Sequence, residues 1–347
     1  MHPSDWAERV VRWQEAHGRH DLPWQNTRDP YRVWLSEIML QQTQVATVKD
    51  YFVRFLTRFP DVAALANASL DDVLGLWGGL GYYSRARHLH RCAQQVVALH
   101  GGAFPRTALL LQTLPGIGPS TAAAVASLCF SERVAILDGN VRRVLTRVLG
   151  FEADLALAAN EKTLWQHANA MLPQDDLYQA MPRYTQGVMD LGATLCTHKN
   201  PPCERCPVHD ICVAKKQGMP ERFPVKTKKL KRSSQSLWLL WVGSEAGAVW
   251  LNKRPTPGVW AGLYCFPLFD EHAALAASVP AAYRGALHAH PAFKHVLTHK
   301  DLHLHLVQLQ LPASQWHRAE GAWFAPSAWP ELGLPAPVKK LLVQGGL

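Results

Sequence analysis

The chain has 347 residues, more than one compact core usually serves, so two domains are expected, each burying a core of its own. A formal charge of +9 and a pI near 9.3 point to an acidic partner, of which a long polyanion is the simplest. No run of about 18 uncharged apolar residues occurs and the amino terminus has no apolar signal core, which excludes a membrane-spanning helix and predicts a soluble, cytoplasmic protein.

From the start to Met219 apolar residues recur at helical spacing between Pro and Gly punctuation, so an all-helical domain is expected over 1–219. Within it, 34–44 (WLSEIMLQQTQ) reads as one helix. Glu37, Gln41 and Gln44 then fall at i, i+4 and i+7, placing a carboxylate and two amides on one face while Leu35, Ile38 and Met39 turn inward. Taken alone, this stripe reads first as an exposed polar face.

Further on stands 114–122, LPGIGPSTA, the centre of an expected helix-hairpin-helix near 108–130. Gly116 and Gly118 let the chain turn sharply between helices, so that bare backbone N–H groups can face a phosphate, a grip on DNA that reads no sequence. An ordinary helix–helix turn would use the same residues, with Leu114 and Ile117 buried and Pro119 starting the second helix. Asp138, in a short apolar stretch with Ile136 and Leu137, favours a site, because an unpaired carboxylate there is costly.

Cys196, Cys203, Cys206 and Cys212 have the spacing C-x6-C-x2-C-x5-C, four soft ligands in one loop, 196–212. They suit either a tetrahedral zinc ion or a 4Fe–4S cluster, and the spacing does not separate the two. Without a secretion signal, disulfides are disfavoured. Cys92, Cys129 and Cys265 are scattered in apolar surroundings and read as core residues.

A basic run that includes Lys215, Lys216, Arg222, Lys226, Lys228, Lys229, Lys231 and Arg232 then marks a solvated linker over 220–235. Beyond it strands are expected at 237–242 and 248–251 about a turn at 243–247, opening a β-rich domain over 236–347. Apolar alternation over 302–311 slips once, at Leu306 and Val307, which predicts a β-bulge; His303 and His305 read as solvated strand residues.

Together these segments resemble the helix-hairpin-helix base-excision DNA glycosylases of the endonuclease III-like branch, in particular the MutY-type adenine glycosylases. The match runs through 34–44, through LWGGLGYYSRAR at 76–87, LDGNVRR at 137–143 and MDLGA at 189–193, and more weakly through KHVLTH at 294–299. The resemblance implies a helical glycosylase domain with an iron–sulfur loop, followed by a Nudix-like domain. It implies one 4Fe–4S cluster on the four cysteines, and as partner double-stranded DNA with adenine opposite 8-oxoguanine or guanine, bound by a monomer. Glu37 would be the acid that protonates adenine, Asp138 would stabilise the sugar cation, and Asn140 would support it. Trp24 and Gln186 would line the adenine pocket, while Gln41, Gln42, Thr43 and Tyr82 would meet the lesion side or fill the opened stack. Thr298 and His299 would face 8-oxoguanine, with Leu297 where many relatives carry an aromatic residue. Ser120 stands where endonuclease III has its nucleophilic lysine, and a serine forms no imine, so base removal without efficient strand cleavage is expected. A Nudix hydrolase would need a glutamate-rich magnesium helix, which 236–347 lacks. A redox module around the cysteines would leave Glu37, Asp138 and the hairpin unexplained.

Overall fold

The computed structural model describes residues 3–227 and 231–345. Lys228 and Lys229 of the expected linker, and the ends of the expected domains at 1–2 and 346–347, lie outside the described residues. The chain forms two units, Met1–Asn67 with His88–Lys228, and Ala68–Arg87 with Lys229–Leu347. Among the described residues no helix is long and apolar enough to cross a membrane.

The helices before the sheet are α1 (Pro3–His17), α2 (Pro30–Leu40), α3 (Val45–Arg58), α4 (Val62–Asn67), α5 (Leu70–Leu76) and α6 (Ser84–His100). They continue as α7 (Ala108–Leu111), α8 (Pro119–Phe130), α9 (Gly139–Leu149), α10 (Ala158–Ala170), α11 (Leu177–Thr194) and α12 (Val213–Lys216). α8 is built of small and apolar residues all round, and Ala122, Ala123, Ala124, Val125 and Ala126 are all buried, so this helix runs through the interior of the first unit. Its neighbours are α2, α7 and α11.

α2 starts where Asp29 accepts from the N–H of Tyr31 at 2.9 Å with Pro30 in the first turn. It ends at Leu40, earlier than the single helix expected over 34–44. Gln41 has φ −57° and ψ 110°, Gln42 has φ +57°, and Gln44 caps α3 instead. Glu37, Gln41 and Gln44 therefore do not share one helical face.

The segment expected as a solvated linker also differs in its first half. Phe223 is buried in the core of the first unit, the carbonyl of Val225 accepts from the N–H of Leu155 at 3.0 Å, and the N–H of Thr227 donates to Asp154 at 3.2 Å. One buried aromatic ring and two backbone anchors outweigh the chain entropy that the basic composition suggested.

The second unit holds β1 (Ser233–Gly243), β2 (Val249–Lys253), β3 (Tyr264–Cys265), β4 (Leu268–Phe269), α13 (His272–Ser278), β5 (His288–Ala289), β6 (Phe293–Val296), β7 (Lys300–Gln310), β8 (Ala322–Phe324) and α14 (Ala336–Gln344). The strand order is β3-β2-β1-β7-β5, with β4 beside β1, β6 beside β7 and β8 beside β2. β1 and β7 run parallel in unbroken register from Ser233 opposite Lys300 to Gly243 opposite Gln310, so the expected bulge at Leu306 and Val307 is absent from this pairing. The slip in alternation has another cause. Leu302, Leu304 and Leu306 join the core on one face of the sheet, and Val307, Leu309 and Leu311 join a separate core on the other. His303 is exposed as expected, but His305 stacks on Trp238 with ring centroids 4.4 Å apart.

Ala68–Arg87 belongs to this unit although its helical pattern and position suggested the first. Asp71 pairs with Lys253 at 2.5 Å and accepts from the Tyr264 hydroxyl at 3.2 Å. The Tyr83 hydroxyl donates to the carbonyl of Leu334 at 2.8 Å, and Arg87 donates to the carbonyl of Ala261 at 2.7 Å.

Candidate active site

Glu37 projects from α2 into a narrow pocket of about 50 Å³ that it lines with Arg19, Trp24, Val33, Leu128 and Gln186. A wider cavity of about 540 Å³ shares Arg19, Trp24, Val33, Leu128 and Gln186, so the narrow pocket adjoins a larger opening. What surface Glu37 keeps faces this confined space, and burial together with the charge of Asp138 pushes its carboxyl up to about 7.

Asp138 is the N-cap of α9 and accepts from the N–H of Val141 at 2.7 Å. Burial raises its carboxyl, opposed by the backbone donors of Val141 and Asn140 and by the charges of Arg143 and Arg142. The positive end of the α9 dipole adds to what favours its anion. Ser120, on the first turn of α8, accepts from the N–H of Leu137 at 3.2 Å and so fixes the residue before Asp138. Asn140 accepts from Arg143 at 2.8 Å, and Arg143 also donates to the carbonyls of Cys196 at 2.7 Å and Gly192 at 2.6 Å.

Two residues of the site were missed in the sequence: Arg19, which lines the pocket, and Asp190, which holds Arg19 and Gln186 from behind it. Asp190 is fully buried on α11 and accepts from the backbone of Arg19 at 3.0 Å, from its Nε at 2.7 Å, and from Gln186 Nε2 at 2.9 Å. A carboxylate inside an apolar helical stretch was the available signal. Arg19 sits in a loop without periodicity, and nothing in the sequence marked it.

At the hairpin Gly116 has φ +78°, and a Cβ there would lie 2.7 Å from Cβ of His88, so both conformation and space require glycine. Gly118 has an ordinary φ of −83° and open space around it; it starts α8 without a side-chain cap, which leaves backbone N–H groups bare. Leu114 and Ile117 are buried beneath. Gln41 reaches α8, its Nε2 lying 3.4 Å from Oγ1 of Thr121, and the Thr43 hydroxyl donates to the carbonyl of Gln41 at 3.4 Å. Gln42 lies between them in the left-handed region.

In the second unit Tyr82, with φ +47°, lies with its hydroxyl 2.8 Å from the Thr298 hydroxyl, in the loop between β6 and β7. His299 is exposed and its carbonyl accepts from the N–H of Ser233 at 3.0 Å.

The four clustered cysteines are free and line one cavity with Val144, Arg147 and Leu195. Arg147 is buried among them, donating to Sγ of Cys196 at 3.4 Å and to the carbonyls of Thr197 at 2.6 Å and His198 at 3.1 Å. Burial pushes the Cys206 thiol up to about 12 and raises Cys203 and Cys212, so a bound cation is needed to hold them as thiolates. Among the described residues no three His, Cys, Asp or Glu converge on one ion-sized position.

Residues 35–169 match the family model of the HhH-GPD superfamily base excision DNA repair proteins, and residues 238–344 match the NUDIX domain. The chain is 35% identical over 341 residues to the adenine DNA glycosylase of Buchnera aphidicola subsp. Acyrthosiphon pisum, covering 97% of this chain and 96% of that one. It is 36% identical over 312 residues to the human adenine DNA glycosylase, covering 74% of this chain and 56% of that one. Among solved structures it is similar to a thermostable thymine-DNA glycosylase, with a TM-score of 0.53, 27% identity, and coverage of 61% of this chain and 95% of that one. An acid in a confined pocket, a helix-capping aspartate that raises its pKa, a glycine hairpin and 35% identity over nearly the whole chain thus lead to one family: the chain belongs to the adenine DNA glycosylases, hydrolytic N-glycosylases of base-excision repair.

Proposed function

We propose that this enzyme excises adenine opposite 8-oxoguanine, and less readily opposite guanine, in duplex DNA, acting as a monomer in the cytoplasm. The observation that carries the chemistry is Glu37, a carboxyl pushed up to about 7 in a confined pocket beside Asp138. A base inside the stack is unreachable, so adenine is flipped out at a cost of roughly a few kcal/mol, less for a mispair. It enters against Trp24, Gln186 and Arg19. Gly116 and Gly118 hold the backbone through N–H groups, and Gln41, Gln42, Thr43 and Tyr82 meet the opened stack.

Glu37 gives its proton to a ring nitrogen of adenine, and the N-glycosidic bond breaks with its electron pair leaving on the base. The sugar becomes cationic. The Asp138 carboxylate stabilises that cation until water adds, Asn140 supports the sugar, and Glu37 is reprotonated from solvent. Ser120 offers no amine, so strand cleavage is not part of the reaction. Thr298 and His299 distinguish 8-oxoguanine from guanine.

Cys196, Cys203, Cys206 and Cys212 would hold one 4Fe–4S cluster, which when bound ties the loop together and supplies no chemistry to the base. Four sulfurs around one cavity fit the ligand set of such a cluster, and the likeness to the endonuclease III-like branch supports iron–sulfur over zinc. The test of the whole reading is excision from duplexes with adenine opposite 8-oxoguanine, guanine, cytosine or thymine, with and without alkali. Alkali-dependent breakage, fastest opposite 8-oxoguanine, is expected; breakage without alkali, or equal rates on all four duplexes, would contradict it.

A further inference from the structure

We infer that Arg232, where the basic segment joins β1, is a positioning residue for lesion recognition that fixes the backbone of loop 297–299 and thereby the Thr298 hydroxyl. This rests on the reading above, in which Thr298 and His299 face 8-oxoguanine. The Arg232 guanidinium donates to the carbonyl of Leu297 at 2.8 Å and to the carbonyl of Thr298 at 3.1 Å. It is itself held by an ion pair with Asp301, whose other oxygen takes Lys294 at 2.5 Å. The next residue completes the set, because the N–H of Ser233 donates to the carbonyl of His299 at 3.0 Å. All three carbonyls of the loop are thus bound from the first two residues of one strand entry, while the turn closes on itself through the N–H of Leu297 and the carbonyl of Lys300 at 2.8 Å.

Chemistry explains why an arginine stands there. Its planar fork can serve two consecutive carbonyls and a carboxylate at once, which a lysine ammonium cannot do in fixed geometry. Thr298 is then constrained from both ends, its carbonyl by Arg232 and its hydroxyl by Tyr82 at 2.8 Å. Guanine and 8-oxoguanine differ only at N7 and C8, so a reader of that difference must be held to about half an ångström before the DNA arrives. Arg232 is exposed and Asp301 partly buried, and such a surface pair adds little to global stability; its effect lies in the order of the loop.

The test uses the full chain, with single-turnover excision of adenine opposite 8-oxoguanine and opposite guanine. Arg232→Met is expected to lower the 8-oxoguanine to guanine rate ratio by about tenfold, as for one lost hydrogen-bonded constraint. Arg232→Lys should not restore it, and Arg232→Met combined with Thr298→Val should be no worse than Thr298→Val alone. Should Arg232→Met fold poorly, Asp301→Asn, which frees the guanidinium, should give a smaller loss of the same ratio. An unchanged ratio in Arg232→Met while Thr298→Val abolishes it overturns the inference and leaves the loop reading standing. So does rescue by lysine, or an equal loss on both substrates, either of which assigns Arg232 to a phosphate contact. If Thr298→Val keeps the full ratio, the loop reading fails and the inference fails with it.

Discussion

The Ser120 hydroxyl accepts from the backbone N–H of Leu137 at 3.2 Å, tying the first turn of the hairpin's second helix to the residue before Asp138. If the resemblance to endonuclease III holds at this position, a hydroxyl with a structural partner stands where that branch carries its Schiff-base amine. Ser120→Lys should place an amine beside the abasic product and give measurable strand cleavage without alkali. It should also cost about 1 kcal/mol through loss of the Leu137 bond. Cleavage on abasic duplex and a thermal melt check the two parts.

Glu37→Gln should keep mispair binding and lower single-turnover excision by at least roughly 100-fold, as for removal of a general acid. In the parent enzyme the rate should fall as pH rises through about 7, where Glu37 loses its proton. Folding raises this carboxyl from 4.5 to about 7, so its contribution to stability is complete below 4.5 and is lost as pH rises through about 7. The slope of stability against pH over that window should therefore be smaller in Glu37→Gln, measured by denaturant unfolding.

Protein purified without oxygen should contain roughly four irons per chain with broad visible absorption. Cys203→Ala or Cys206→Ala should lower iron content, soluble yield and DNA affinity together. Stoichiometric zinc in place of iron would contradict the cluster.

A chain cut after Thr227, whose N–H is anchored to Asp154, should still excise adenine opposite guanine while losing preference for 8-oxoguanine, since Thr298 and His299 are removed, and should be less stable because Ala68–Arg87 loses its partners in the second unit. A cut at Gln217 would also remove Phe223 from the core and should cost about 3 kcal/mol more by the usual penalty for deleting a large buried aromatic. Rates on the two mispairs and unfolding curves of the two truncated chains distinguish these outcomes.

Much of the first unit was legible because its signals are local. Asp138 stands out as a carboxylate in an apolar stretch, and Gly116 marks a sharp turn between helices, which the structure shows as a left-handed residue; the N-cap role of Asp138 came only with the structure. The end of α2 was not legible, since Gln41 and Gln42 are adequate helix formers and only tertiary context breaks the helix there. Arg19 reaches the site through its bond to Asp190, a partner 171 residues away that no pattern announces. The absent bulge in β7 shows the same limit: alternation says which positions are apolar, and a sheet covered on both faces uses either side.

The presence of Ala68–Arg87 in the sheet-bearing unit has a consequence for how the molecule is made. During synthesis α5 emerges long before the strands it packs with, so Asp71, Tyr83 and Arg87 wait for Lys253, Leu334 and Ala261 until nearly the whole chain has left the ribosome. The sheet-bearing unit is encoded in two separated pieces. Grafting it onto another protein would require both, and a gene fusion that carries only the strands would leave the α5 contacts unmade.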